Sequence, residues 1–188
     1  SADLEALEHG GELVSVTLVV HPFHPLSAAD LAEAFPDACR PFKAHHIVSF
    51  AEFSDASVDR HHRRNARWAG RRVAVERVSD PKECLETWVS LYDNLIHRHD
   101  IRGIARFSRD SFAQQFAVPG LTVFRAVRHD DTVGMALWYR EGADAFYHVA
   151  AYSEAGYQAK ASFAIFHEAL AHLRSEEHTS ELQSLLII

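Results

Sequence analysis

The chain has 188 residues, 47% of them hydrophobic and 24% charged, with a formal charge of −7 at pH 7. That is the composition of a folded domain with one sizeable core rather than of a disordered segment. The acidic balance argues against a general nucleic-acid binder, and no apolar run approaches the roughly 20 residues of a bilayer span. Cys39 and Cys84 lie far apart with no CxxC spacing, and the N-terminus carries no basic n-region, so a cytoplasmic protein with reduced thiols and no bound metal is expected.

Leu13–Val20 is β-branched and nearly continuous, which predicts a buried strand ended by the prolines of His21–Pro25. Ser27 with Asp30 three residues on predicts a capped helix to about Phe35, and Ala44–Phe53 a second strand. Ser57–Ala69 is a polar, arginine-rich helix with Gly70 as its C′ residue, and Arg72–Val78 alternates as a half-exposed strand does. Asp80-Pro81 opens a long helix whose apolar residues Cys84, Leu85, Trp88, Leu91, Tyr92, Leu95 and Ile96 form one buried face. A shorter helix, about Arg109–Phe116, follows the Ser108 cap.

Three strands come next, Leu121–Arg128, Val133–Tyr139 and Ala145–Tyr152, joined by short polar turns into an antiparallel meander. A helix from about Gly156 or Tyr157 to Leu173 closes the series. This order predicts an α+β fold with a central, mostly antiparallel sheet and flanking helices. Residues 174–188 break the helix's apolar pattern, and Arg174–Ser184 reads like the translation of a sequencing-library adapter. We therefore expect a non-native tail at 174–188, a core at 79–173 and an N-terminal partial half at 1–78. On this reading nothing after Leu173 supplies a further strand. The sheet is then incomplete at its C-terminal end, its edge at Ala145–Tyr152 is exposed, and the chain as it stands is poorly soluble and inactive.

Asp59-Arg-His-His-Arg-Arg-Asn-Ala-Arg67 resembles the histidine/arginine/asparagine motif of FemAB-like, GNAT-related acyltransferases. Val133-Gly-Met-Ala-Leu-Trp-Tyr139, Ala145-Phe-Tyr-His-Val-Ala-Ala-Tyr-Ser153 and Gly156-Tyr-Gln-Ala-Lys-Ala-Ser162 are similar to that family's strand, strand and helix-start segments. The resemblance implies an N-acyltransferase moving an acyl group from acyl-CoA, such as acetyl-CoA, to a primary amine by direct attack. FemAB relatives use aminoacyl-tRNA instead, so tRNA is a further implied partner. It also implies that the Ala145–Tyr152 strand splays from the next one, leaving a gap for the donor's arm. The donor's phosphates would then sit at the start of the following helix.

Within that frame the donor-binding candidates are Ser153, Gly156, Lys160 and Ser162, with Arg63 and Arg64 of the arginine helix, whose forks suit phosphate oxygens. Gly156 is expected to supply backbone freedom, yet the loop has one glycine where the family pattern has two. His148 is the candidate base, with Tyr147, Tyr152 and Tyr157 as candidate acids. If Tyr147 and Val149 share a core face, His148 points away from it. No serine or cysteine nucleophile motif appears, which disfavours a covalent intermediate. The alternative is a non-catalytic module that keeps the fold and holds an anionic partner on Arg60, Arg63, Arg64 and Arg67.

Overall fold

The computed structural model describes residues 17–20, 25–41, 44, 46–50, 54, 56–103, 106–142, 144–177 and 184–187. Its contacts divide the chain after His45. In the first unit Ser27 caps α1 (Ala28–Ala34) through the capping box read from the sequence. The Asp30 N–H donates to the Ser27 hydroxyl, and the Asp30 carboxylate accepts from the Ser27 N–H at 2.7 Å. These bonds hold the Asp30 carboxyl below its ordinary value. The strand expected over Leu13–Val20 does not appear where it can be described. Thr17–Val20 has no regular structure, Leu18 and Val19 are exposed, and the earlier residues lie outside the described ones. β-Branched composition favours a strand only when another strand pairs with it.

The second unit runs β1 (His46–Ser49), α2 (Arg60–Ala69), β2 (Ala74–Arg77), a 3-10 turn (Pro81–Cys84), α3 (Leu85–His99) and α4 (Arg109–Phe116). It continues through β3 (Leu121–Arg128), β4 (Asp131–Glu141), β5 (Asp144–Tyr152), α5 (Glu154–Gln158), α6 (Ala161–Glu177) and β6 (Ser184–Ile187). The strands form one sheet in the order β1-β6-β5-β4-β3-β2, antiparallel throughout except between β5 and β6. This is the expected α+β architecture.

Helices cover the sheet on both faces, so β4, in its interior, is buried from Val133 to Trp138. Met135 and Leu137 face α3 and α4, whose Trp88, Tyr92, Phe112 and Phe116 form an aromatic cluster. Ala136 and Trp138 face α2 and α6. The β3–β4 hairpin turns on His129 and Asp130, both at positive φ (50° and 67°), the conformation a two-residue hairpin needs.

Several expectations are corrected. α2 begins at Arg60, capped by the Asp59 carboxylate on the His61 N–H at 2.6 Å, and Gly70 ends it in the right-handed region (φ −62°) rather than as a left-handed C′ residue. The single helix expected to Leu173 is two, because Lys160 adopts φ 53° and breaks the i→i−4 ladder between α5 and α6. The expected division at residue 78 also differs, since α2 packs on α6 and β2 pairs with β3. The sheet does receive a strand beyond Leu173: α6 continues to Glu177, and β6 lies between β1 and β5. The missed signal is Leu185-Leu186-Ile187, an apolar run long enough for a four-residue strand.

Candidate active site

The β4–β5 register jumps at one point. Leu137 pairs with Val149 and Trp138 with Tyr147, so His148 is the extra residue of a β-bulge. The bulge resets the alternation: Tyr147 packs toward Trp138 and Phe166 on the α6 side, at ring distances of 5.1 and 4.9 Å. Val149 packs into the opposite, α3/α4 cluster. Tyr147 and Val149 therefore do not share a face, because period-2 alternation fails across a bulge.

The bulge leaves His148 half-buried on the α4 side, edge-on to Tyr139 (5.5 Å) with Nε2 2.9 Å from Gln115 Oε1. Gln115 is itself fixed. Its Nε2 donates to Ser111 Oγ (3.2 Å), and its carbonyl accepts from the Tyr139 hydroxyl (3.0 Å). With the amide nitrogen turned to Ser111, Oε1 faces the imidazole, an arrangement in which His148 Nε2 carries the proton and Nδ1 a lone pair. Burial lowers the His148 pKa, favouring this neutral form. Nothing in the sequence marked Gln115, a polar residue on a mostly polar helix turn.

β6 pairs with β5 only from Asp144 to Phe146. Beyond Phe146, along Tyr147–Tyr152, β5 has no second partner strand among the described residues.

The other candidates lie around the end of β5. Burial raises the Tyr147 phenol to about 12 and pushes the Tyr152 phenol up as well, and the Tyr152 hydroxyl has no hydrogen-bond partner among the described residues. Tyr157 on α5 stands edge-on to Tyr152 (5.5 Å), with the Arg98 guanidinium 4.1 Å over its ring. Ser153 caps α5: its hydroxyl donates to Val133 O and accepts from the Gly156 N–H at 3.3 Å. Gly156 is buried and helical, and an added Cβ would stand 2.0 Å from Val133 O. Its role is close approach to the β4 backbone, which corrects the expectation of backbone freedom. Ser162 is half-buried in the first turn of α6.

Lys160 turns toward α2. Its Nζ donates to Asn65 Oδ1 at 3.0 Å and lies 5.5 Å from the centre of the Trp68 ring. Asn65 is the one buried polar residue among the described residues (4% exposed), and its Nδ2 lies 2.7 Å from His61 Nε2. The sequence offered a signal here, an amide one helical turn before the buried Ala69. Arg64 is exposed with a 3.5 Å contact to His61 Nδ1, while the half-buried Arg63 has its Nε without a partner among the described residues. Across the sheet, Tyr147, Tyr152, Tyr157 and Lys160 gather toward α5, α6 and α2, whereas the bulge sends His148 to the α4 side.

The sequence profile of the acetyltransferase (GNAT) domain matches residues 56–183, more than half of the chain. The chain belongs to the GNAT acetyltransferase family. No curated protein matches its sequence. Among solved structures, this GNAT chain is similar to the C-terminal domain (DUF2156) of a putative lysylphosphatidylglycerol synthetase from Agrobacterium fabrum. The TM-score is 0.59 at 14% identity, over 76% of this chain and 44% of that one. It is also similar to a conserved protein of unknown function from Bacteroides thetaiotaomicron (TM-score 0.58, 13% identity, 84% of this chain and 55% of that). FemX matches with a TM-score of 0.56 at 14% identity, over 74% of this chain and 51% of that. The chain spans about half the length of these three proteins. At such identities the likeness shows a shared fold. No helix among the described residues is long and apolar enough to cross a membrane.

Proposed function

We propose that this GNAT domain is an N-acyltransferase of the FemAB-like branch, carrying an acyl group from acyl-CoA or aminoacyl-tRNA to a primary amine by direct attack. The observation that carries the reading is the bulge. It turns a neutral imidazole, His148, off the Tyr147 face of β5 and onto Gln115. In the reaction the amine nitrogen attacks the donor's carbonyl carbon and forms the C–N bond. His148 Nδ1 takes the proton that nitrogen loses, and the donor's thiolate or ribose oxygen departs. Tyr147 and Tyr157 are the candidate proton donors to that leaving group, and the Tyr147 phenol, raised to about 12 by burial, stays protonated throughout the physiological range. Ser153 and Gly156 hold the loop against β4, while Lys160, Ser162, Arg63 and Arg64 are the groups offered to donor phosphates.

The test is thiol release from acetyl-CoA across a panel of amines, with aminoacyl-tRNA as the second donor. His148→Ala is expected to lower kcat by about 10²–10⁴-fold, the usual worth of a positioned base. Unchanged turnover in this variant removes His148 from the mechanism.

The sign of the pH dependence follows from the lowered pKa. Because folding disfavours the charged imidazole, His148 stays neutral, and competent as a base, to lower pH than an ordinary imidazole of about 6.5. Its contribution to stability is full above the unfolded-state value and is lost as pH falls through the folded one. Urea unfolding across pH 4–8 is expected to show this acid-side loss in the wild type and a flatter curve in His148→Gln.

A second reading rests on the committed cap. Ser153 already spends its hydroxyl on Gly156 and Val133, while Arg60, Arg64 and Arg67 are exposed on α2. A non-catalytic module would bind a polyanion through that helix with steep salt dependence and release no thiol with any donor.

A further inference from the structure

Lys160 occupies a conformation that side chains rarely adopt. At φ 53° a non-glycine residue carries backbone strain. Glycine would relieve that strain, but the chain has a lysine there, whose ammonium reaches back to a different helix. Its anchor, Asn65, is separated from it by 95 positions in sequence and is 4% exposed. A buried amide must satisfy both its ends, and here each end has one partner: Oδ1 faces Lys160 Nζ, and Nδ2 faces His61 Nε2 at 2.7 Å.

The orientation is forced. An ammonium only donates, so the acceptor end of Asn65 must point at Lys160, which turns its NH₂ toward His61 and requires His61 Nε2 to accept. Trp68, one turn along α2, flanks the same ammonium with its ring. Phe163, three residues past Lys160, packs against the rings of His61 and His62 at 6.3 and 5.5 Å. The start of α6 is thereby clamped to α2 by a polar chain inside an apolar collar.

We propose that Asn65, oriented by His61, is a positioning residue: it holds the Lys160 ammonium at the α5–α6 junction so that it meets a phosphate of the acyl donor. This rests on the acyl-transfer reading above, in which Lys160 receives donor phosphate. A flexible lysine would lose rotamer freedom on binding an anion, and an ammonium already hydrogen-bonded to a buried amide has lost most of it beforehand. Only one of the three ammonium protons goes to Asn65, leaving donors for an incoming phosphate oxygen. Lys160 itself is exposed, so the ammonium is accessible.

The experiment is a double-mutant cycle of Asn65→Ala and Lys160→Met, read by calorimetric binding of coenzyme A, inorganic pyrophosphate and pantetheine, with kcat and KM for acetyl-CoA alongside. Lys160→Met lies at an exposed position and keeps the test intact if Asn65→Ala unfolds the helix pair. Both single variants are expected to bind coenzyme A and pyrophosphate about tenfold more weakly, to bind pantetheine unchanged, and to raise KM for the donor with kcat preserved. The double variant is expected to be no weaker than Lys160→Met, because Asn65 acts only through the lysine. A lower melting temperature alone would not produce that split between coenzyme A and pantetheine. Unaltered coenzyme A binding in Lys160→Met overturns the inference and leaves the acyl-CoA reading in place, as do losses that add in the double variant. Wild-type binding of pyrophosphate without coenzyme A, weakened in both variants, keeps the phosphate seat and removes coenzyme A as donor. Wild-type binding of neither removes both.

Discussion

The two faces of the sheet are built from different materials. On the α3/α4 side the helices bring the rings, with Trp88, Phe112 and Phe116 buried and Tyr92 4.7 Å from Phe112. On the α2/α6 side the rings come from the sheet, Phe124, Trp138 and Tyr152, and nine of the buried residues are alanines, against one on the other face. Rings hold helices away from a sheet and fill the space, whereas alanines let helix backbones come close. The site follows that division. The buried amide of Asn65, the close approach of Gly156 and the ammonium of Lys160 all belong to the face where backbones approach, while the α3/α4 face lends one group, Gln115, to His148.

Removing a ring should break this comparison most sharply. Trp88 is fully buried at the centre of its cluster, stacked on Tyr92 and edge-on to Phe112 at 5.5 Å. Trp88→Ala is expected to cost about 3–5 kcal/mol, because the cavity lies between a helix and a sheet that collapse only partially. Urea unfolding measures it, and a loss below about 1 kcal/mol would mean that the α3/α4 face is not the structural one.

The alanine face should fail in the opposite way, by overfilling. Gly156 lies within α5, and glycine to alanine in a helix ordinarily gains up to about 1 kcal/mol. Here the new methyl would meet the Val133 carbonyl oxygen at 2.0 Å, so α5 or β4 must move. Gly156→Ala is therefore expected to destabilise by roughly 1–3 kcal/mol and to weaken donor binding, since α5 leads into Lys160. A stabilised variant would show that α5 is free to shift.

The α+β class, the meander and the α4 cap were legible because each rests on short-range chemistry. Leu121–Arg128 is an apolar-rich run between Gly120 and the His129-Asp130 turn, and Ser108 caps from the adjacent position. Tyr147, Gly156 and Lys160 were marked as candidates, but their surroundings were not. The bulge at His148 is a property of the β4–β5 pairing and leaves no mark in β5 alone. The Lys160–Asn65 bond spans 95 positions, and the left-handed turn at Lys160 carries no glycine to announce it. The Leu13–Val20 expectation failed for the converse reason. Composition favoured a strand that, over Thr17–Val20, has no partner in a ladder.

The smallest effect concerns the tie between the faces. Arg98 leaves the last turn of α3, on the ring side, and reaches α5, which opens the alanine side. It pairs with Glu154 at 3.3 Å and covers the Tyr157 ring at 4.1 Å. The ion pair is well exposed, 47% and 69% for the two side chains, and such pairs are worth about 0–1 kcal/mol. The cation–π contact adds about 0.5–1 kcal/mol at a site of this exposure. Arg98→Met, which keeps the apolar stem over the ring, is therefore expected to cost no more than about 1 kcal/mol. Arg98→Lys should recover part of the ion pair and little of the stacking, because an ammonium lacks the planar guanidinium face. The two variants separate charge from stacking when unfolding is repeated in high salt, which screens the pair and leaves the ring contact. If Arg98→Met instead cost as much as Trp88→Ala, the tie would be holding the faces together, and the ring cluster would no longer account for the stability of α3.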